Sequence, residues 1–121
     1  MSFKREGDWI KGFLIALIRC NHIMCKMPKS TIFVHYALGS VITKNAFFGD
    51  NCVIHQCLTI GQLRGGSDIL VLVGSNVYFG CNVSVLCSPN SVLCIGDYSS
   101  IGSGSVVLNS VPSGSVVRGV W

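Results

Sequence analysis

Ile42-Thr-Lys-Asn-Ala-Phe-Phe48-Gly-Asp-Asn-Cys-Val-Ile54-His-Gln-Cys-Leu-Thr-Ile60-Gly61 carries a large apolar residue at every sixth place, and a glycine follows two of the four anchors. The same step recurs at Val73, Phe79 and Val85, with Gly74 and Gly80 next in line. It recurs again at Ile95, Ile101 and Val107, with Gly96 and Gly102 following the first two. Four places after an anchor stands a small or apolar residue: Ala46, Cys52, Val77, Val83, Ser99 or Ser105. A period of six matches neither the 3.6 of a helix nor the 2 of a long strand.

The six-residue step fits the flat face of a triangular solenoid. The anchor points inward, the glycine takes the turn and the small residue fills the corner. Three faces close one coil, and coils stack at the strand spacing of about 4.8 Å. The expected fold is all-β, a left-handed parallel β-helix of hexapeptide repeats with a short N-terminal helix; its hand departs from the usual right-handed crossover. Ten hexads make a little over three coils. So thin a prism has a small core and open strand edges, and it calls for a cap and for neighbouring copies. Thirteen residues separate Ile60 from Val73, so a segment around 62–68 leaves the coil as a loop, a usual place for substrate contacts. Ten residues separate Val85 from Ile95, and Ser88-Pro89-Asn90-Ser91 reads as a tolerated bulge.

The 121 residues leave room for one domain. Half are hydrophobic and 12% are charged, which excludes disorder and a coiled coil. The longest aliphatic-aromatic run, residues 13–18, falls well short of the ~20 residues of a spanning helix. Residues 1–29 hold six basic and two acidic side chains, whereas the rest of the chain is neutral with three of each. The body has no basic stripe, so nucleic acid is not an expected partner. The basic N-terminus leaves open a peripheral membrane contact. Trp9, Ile10, Phe13, Leu14, Leu17 and Ile18 recur at helical spacing, which predicts an amphipathic helix over 8–24, ended by Pro28. The chain therefore divides into a helical cap, 1–28, and a β-helix, 29–121. Seven cysteines without a Cys-x-x-Cys, with Cys52, Cys57, Cys81 and Cys94 inside apolar stretches, read as small buried hydrophobes of a cytoplasmic protein. The leader lacks the pattern of a signal peptide. Cys20 and Cys25 beside His22 match no zinc spacing, so no metal is expected.

The stretch from Phe48 to Gly61 and the tail Ile95-Gly-Asp-Tyr-Ser-Ser-Ile101-Gly-Ser-Gly-Ser-Val-Val107-Leu-Asn-Ser-Val-Pro112 resemble the serine acetyltransferase family and its relatives that O-acetylate sugars and surface polysaccharides. The resemblance covers roughly residues 28–120. It is carried by an upstream histidine, by Thr59-Ile60-Gly61 ahead of a loop, and by a closing Val111-Pro112-x-x-Ser115-Val116-Val117-x-Gly119.

That resemblance implies a homotrimer with acetyl-CoA in the groove between adjacent prisms, a small-molecule acceptor with a sugar or amino-acid hydroxyl, and general-base catalysis by a histidine in a short turn ahead of the repeats. The matching segment is Val34-His35-Tyr36-Ala37-Leu38-Gly39, so the resemblance makes His35 the catalytic base. It makes His55 a substrate-groove or subunit-interface residue. Cofactor contacts fall on Gly61, Gly80-Cys81, Gly102-Ser103 and Arg118-Gly119, the arginine meeting a phosphate. Three residues stand between His35 and Gly39 where the family has two, Val34 replaces an acidic neighbour, and the 62–68 loop lacks the His-Pro of serine acetyltransferases. These departures favour a sugar-type O-acetyltransferase over a serine acetyltransferase, with an inactive trimeric scaffold as the third reading. A zinc enzyme on the same fold would have to use His22, His35 and His55, and His22 falls in the expected helix.

Overall fold

The computed structural model describes residues 21–65 and 68–121. Thirteen short strands run through them: β1 (His22–Ile23), β2 (Ile32–Phe33), β3 (Val41–Ile42), β4 (Ala46–Phe48), β5 (Val53–Ile54), β6 (Thr59–Gln62), β7 (Ile69–Val73), β8 (Tyr78–Phe79), β9 (Ser84–Cys87), β10 (Ser91–Ile95), β11 (Ser100–Ile101), β12 (Val106–Val107) and β13 (Val116–Val117). All pairings are parallel, and strands meet only across coils. The first face stacks β1-β3-β6-β9-β12, the second β4-β7-β10, and the third β2-β5-β8-β11-β13. This is the left-handed parallel β-helix, with about four coils rather than a little over three.

The six-residue arithmetic is visible in the core. Ile42, Ile54, Ile60, Val73, Phe79, Val85, Ile95, Ile101 and Val107 are buried, as are Ala46, Cys52, Val77, Val83, Ser99 and Ser105 four places on. Phe48 is half-buried and meets Phe79 edge-on at 6.2 Å. A strand alternates its side chains, so the residue before each anchor faces outward: Val41, Phe47 and Tyr78 are exposed.

The role expected of the glycines changes. The glycine after an anchor does not take the left-handed turn. That conformation falls two residues later, on Asn51, Asn76 and Tyr98 at one corner and on Cys57, Asn82 and Gly104 at another. The glycine is required by stacking instead. A Cβ at Gly74 would lie 2.8 Å from the Asp97 backbone nitrogen, and one at Gly49 would lie 2.7 Å from that of Ser75. The side chain of the following coil uses the room to cap the coil before it: Ser75 N–H donates to Asp97 Oδ1 (2.7 Å) and Asp50 N–H to Ser75 Oγ (3.0 Å); at the first step the direction reverses, and Asn51 N–H donates back to Ser30 Oγ (2.9 Å). We call this edge, between the second and third faces, the ladder corner.

Three further expectations shift. His22 and Ile23 pair with Val41 and Ile42, so the solenoid is under way before the 28/29 boundary and a helix cannot reach residue 24. The remainder of that expected helix, through residue 20, lies outside the described residues. Residues 88–91 are no bulge: Gly61 and Gln62 pair with Leu86 and Cys87, and Ile69 and Leu70 pair with Ser91 and Val92. Both phase breaks thus lengthen the same corner, between the first and second faces, in two adjacent coils. Cys94 is exposed, because it alternates with the inward Leu93 and Ile95. Cys52 is buried, and Cys57 and Cys81 are half-buried.

Candidate active site

The corner from the third face to the first is crossed once per coil. It holds His35 and Tyr36 in the first coil, His55 to Cys57 in the second, Gly80 to Asn82 in the third, Gly102 to Gly104 in the fourth, and Arg118-Gly119 at the last turn. Backbone bonds tie the levels together: Cys57 N–H to Leu38 O (2.8 Å), Asn82 N–H to Gln56 O (3.1 Å), and Gly104 N–H to Cys81 O (2.8 Å). At about 4.8 Å per coil the row is roughly 19 Å long. All of the expected site residues except Gly61 stand on this one edge, the histidine corner.

The corner is uniform until the first coil. Four residues span it between Ile54 and Thr59, between Phe79 and Ser84, and between Ile101 and Val106. Seven span it between Phe33 and Val41, although both flanking strands stay in register with the coil below. The surplus is taken up by His35, Tyr36 and Ala37, all left-handed, with φ of 54°, 58° and 54°. Each such residue costs roughly 1–2 kcal/mol relative to the right-handed form. The turn lifts His35 into solvent and tucks Ala37 into the coil.

Beneath this turn, His55 Nε2 lies 2.9 Å from the Tyr78 hydroxyl, the rings edge-on at 5.3 Å. The sequence reading missed Tyr78, although its place before anchor Phe79 fixed it outward on the third face, one coil from His55. Gln56 follows, and its Oε1 is buried with no hydrogen-bond partner.

Glycine has separate causes along the row. A Cβ at Gly80 would lie 2.6 Å from the Ser103 nitrogen, so coil stacking requires that glycine, whereas one at Gly102 would lie 3.0 Å from Val117 O, a tight fit that a small shift relieves. Ser103 Oγ accepts from Cys81 N–H at 3.1 Å. Gly119 needs its positive φ of 72° and faces open space beside exposed Arg118. Gly61 lies across the first face, toward the extended corner, with no positive φ and nothing within 4 Å of a Cβ. Past it the extended corner overhangs a cleft of about 210 Å³ lined by Cys87, Ser88, Ser91, Leu108, Asn109 and Ser110, among others. Among the described residues no three His, Cys, Asp or Glu side chains gather to hold a metal, and no helix is long and apolar enough to cross a membrane. Burial pushes the Cys52 thiol up, as befits an inert core sulfur whose Sγ lies 3.2 Å from Gly74 O.

No protein-family model matches the chain. Over 90 residues, 74% of this chain, it is 36% identical to the serine acetyltransferase of Synechococcus elongatus and covers 35% of that protein. Over 86 residues, 71% of the chain, it is 34% identical to WcaB of Escherichia coli, assigned as a colanic acid biosynthesis acetyltransferase, and covers 51% of it. A crystal structure of Neisseria gonorrhoeae serine acetyltransferase in complex with serine superposes on 74% of the chain with a TM-score of 0.64 at 34% identity, and 35% of that chain is covered. The chain spans between 35% and 51% of the length of these relatives.

Proposed function

We propose that this chain, a relative of the hexapeptide-repeat acyltransferases over its β-helix, is the acyl-transfer domain of an acetyl-CoA-dependent O-acetyltransferase. The observation that carries the reading is the histidine corner, where among the described residues the one irregular turn of that corner presents His35 above a row of stacked turns ending at exposed Arg118. Acetyl-CoA supplies the activated acetyl group as a thioester. His35 takes the proton of the acceptor hydroxyl as that oxygen attacks the thioester carbonyl. The C–S bond then breaks, and the imidazolium returns its proton to the departing thiolate. Histidine suits both steps because one ring nitrogen can take a proton and give it back within a single turnover. Cys81, Gly102-Ser103 and Gly119 offer backbone to an extended ligand arm, and Arg118 a charge for its phosphate; Gly80, expected among them, is buried with its N–H on Ile101 O and serves the stacking of the coils instead. Gly61, whose absent Cβ the fold does not require, offers a second close approach across the first face. His55, held by Tyr78, faces the acceptor.

The acceptor we favour is a sugar or polysaccharide hydroxyl, supported by the likeness to WcaB and by a 62–68 loop without histidine. The likeness to serine acetyltransferases supports serine as the second reading. A homotrimer fits the exposed apolar residues of the third face, Ile32, Tyr78 and Val116. Cytoplasmic placement belongs to the same proposal and rests on the cysteine pattern. The test is thiol release from acetyl-CoA across a panel of sugars and serine, alongside thermal shift with acetyl-CoA. Release with a sugar acceptor is expected. Absence of any CoA-dependent stabilisation at millimolar concentration would favour a scaffold.

A further inference from the structure

His55 fills a corner place where the solenoid needs no side chain. The equivalent places in the next two coils are Gly80 and Gly102, which follow Phe79 and Ile101 as His55 follows Ile54. The imidazole stands beside the irregular turn. Phe33 registers on Ile54, so His55 lies one coil from Val34 and is the neighbour of His35 across that step. On the opposite side, in the third coil, Tyr78 registers on Val53 and brings its hydroxyl to 2.9 Å from His55 Nε2. Among the described residues Nδ1 makes no hydrogen bond. A phenol gives up its proton far more readily than a neutral imidazole N–H does, so Tyr78 donates to Nε2 and the ring proton sits on Nδ1. The two nitrogens of an imidazole point in nearly opposite directions. A bond that draws Nε2 toward the third coil therefore turns Nδ1–H back toward the first, where His35 stands.

We propose that Tyr78 is a positioning residue that fixes His55 as an Nδ1–H donor, and that this donor holds a second hydroxyl of the acceptor, next to the one that His35 deprotonates. The inference rests on the acetyltransferase reading and deepens it, because it makes a vicinal diol the feature that the site selects. A ring diol of a sugar supplies the second oxygen at a fixed distance from the first. An alcohol with a single hydroxyl leaves the oriented N–H without its partner, and a site built to hydrogen-bond a hydroxyl rejects the analogue that lacks it.

The probes are trans-1,2-cyclohexanediol and cyclohexanol, which differ only in the neighbouring hydroxyl, with acetyl-CoA as the donor and the full chain as the enzyme. The parent should favour the diol about tenfold in kcat/KM, with the difference falling on KM. His55→Ala should remove that preference and Tyr78→Phe most of it, while both bind acetyl-CoA as the parent does. Nitrogen-15 spectra of the imidazole rings give a readout besides turnover, with His55→Ala identifying the His55 signals among the three histidines. They should show His55 protonated on Nδ1 in the parent and as a mixture of tautomers in Tyr78→Phe. Protonation on Nε2 in the parent, a tautomer that Tyr78→Phe leaves unchanged, or a diol preference that survives His55→Ala would overturn the proposal. If neither alcohol is acetylated, titration of the parent decides: a shift of the His55 Nδ1 signal with the diol and not with cyclohexanol upholds it, and no shift overturns it. Absence of acetyl transfer to every acceptor of the wider panel would count against the acetyltransferase reading instead.

Discussion

The ladder corner and the histidine corner are built by the same chain at the same rise, yet they are used in opposite ways. At the ladder corner successive coils repeat one device: a glycine in one coil, a Ser or Asp in the next, and a backbone N–H capped between them, as Ser75 caps Asp50 N–H over Gly49 and Asp97 caps Ser75 N–H over Gly74. At the histidine corner the first coil breaks the repeat with three left-handed residues and lifts His35 into solvent. Where local rules agree with one another the corner stabilises the fold. Where they are violated, the strain sits beside the groups assigned to the chemistry.

That contrast can be broken by substitution. Gly74→Ala should have the largest effect, because the added methyl meets the Asp97 side chain and backbone. A loss of about 3 kcal/mol or more is expected in chemical denaturation, and a loss under ~1 kcal/mol would mean that the coils can slide apart. Asp97→Ala leaves Ser75 N–H without its 2.7 Å acceptor and should lower stability by about 1.5 kcal/mol. At the other corner the sign reverses. His35→Gly should stabilise by up to ~1 kcal/mol, since glycine accepts φ of 54° at no steric cost, while turnover falls. A lower melting temperature for this variant would show that the turn is not strained. Least of all is an alkaline effect from Cys52. Burial raises its thiol, so the folded chain holds that proton more tightly than the unfolded chain. Its contribution is complete below the ordinary thiol range, near pH ~8.5, and declines as pH rises through that range. Cys52→Ala should flatten this part of the stability profile.

Much of the fold was legible because a six-residue period fixes which side chains point inward. Every anchor but Phe48 is buried, and Phe48, on the outermost strand of the second face, is half-buried. The first strand was not legible: His22 and Ile23 follow a helical pattern, and only their pairing with Val41 and Ile42 makes them strand. The glycines were read correctly as necessary but for the wrong reason, since a close approach between coils leaves no mark in one coil's sequence. The two long gaps gave no sign that they would pair with each other. For the site, the resemblance singled out Gly80, Gly102 and Arg118 and the period set His55 outward, but their shared corner and the three-residue surplus at His35 emerge only once the strands are paired across coils. Tyr78 was missed because its link to His55 joins neighbouring coils rather than neighbouring residues.

The central claim is that the left-handed turn exists to present His35 as the base. The direct measurement is steady-state turnover of His35→Ala and Tyr36→Phe, with acetyl-CoA binding measured in parallel by calorimetry. The account predicts that His35→Ala binds acetyl-CoA as the parent does, melts no lower, and loses about 10²–10⁴ in turnover. Tyr36→Phe should stay near parental turnover. Full turnover in His35→Ala, with the loss falling on Tyr36→Phe or on neither, would contradict it.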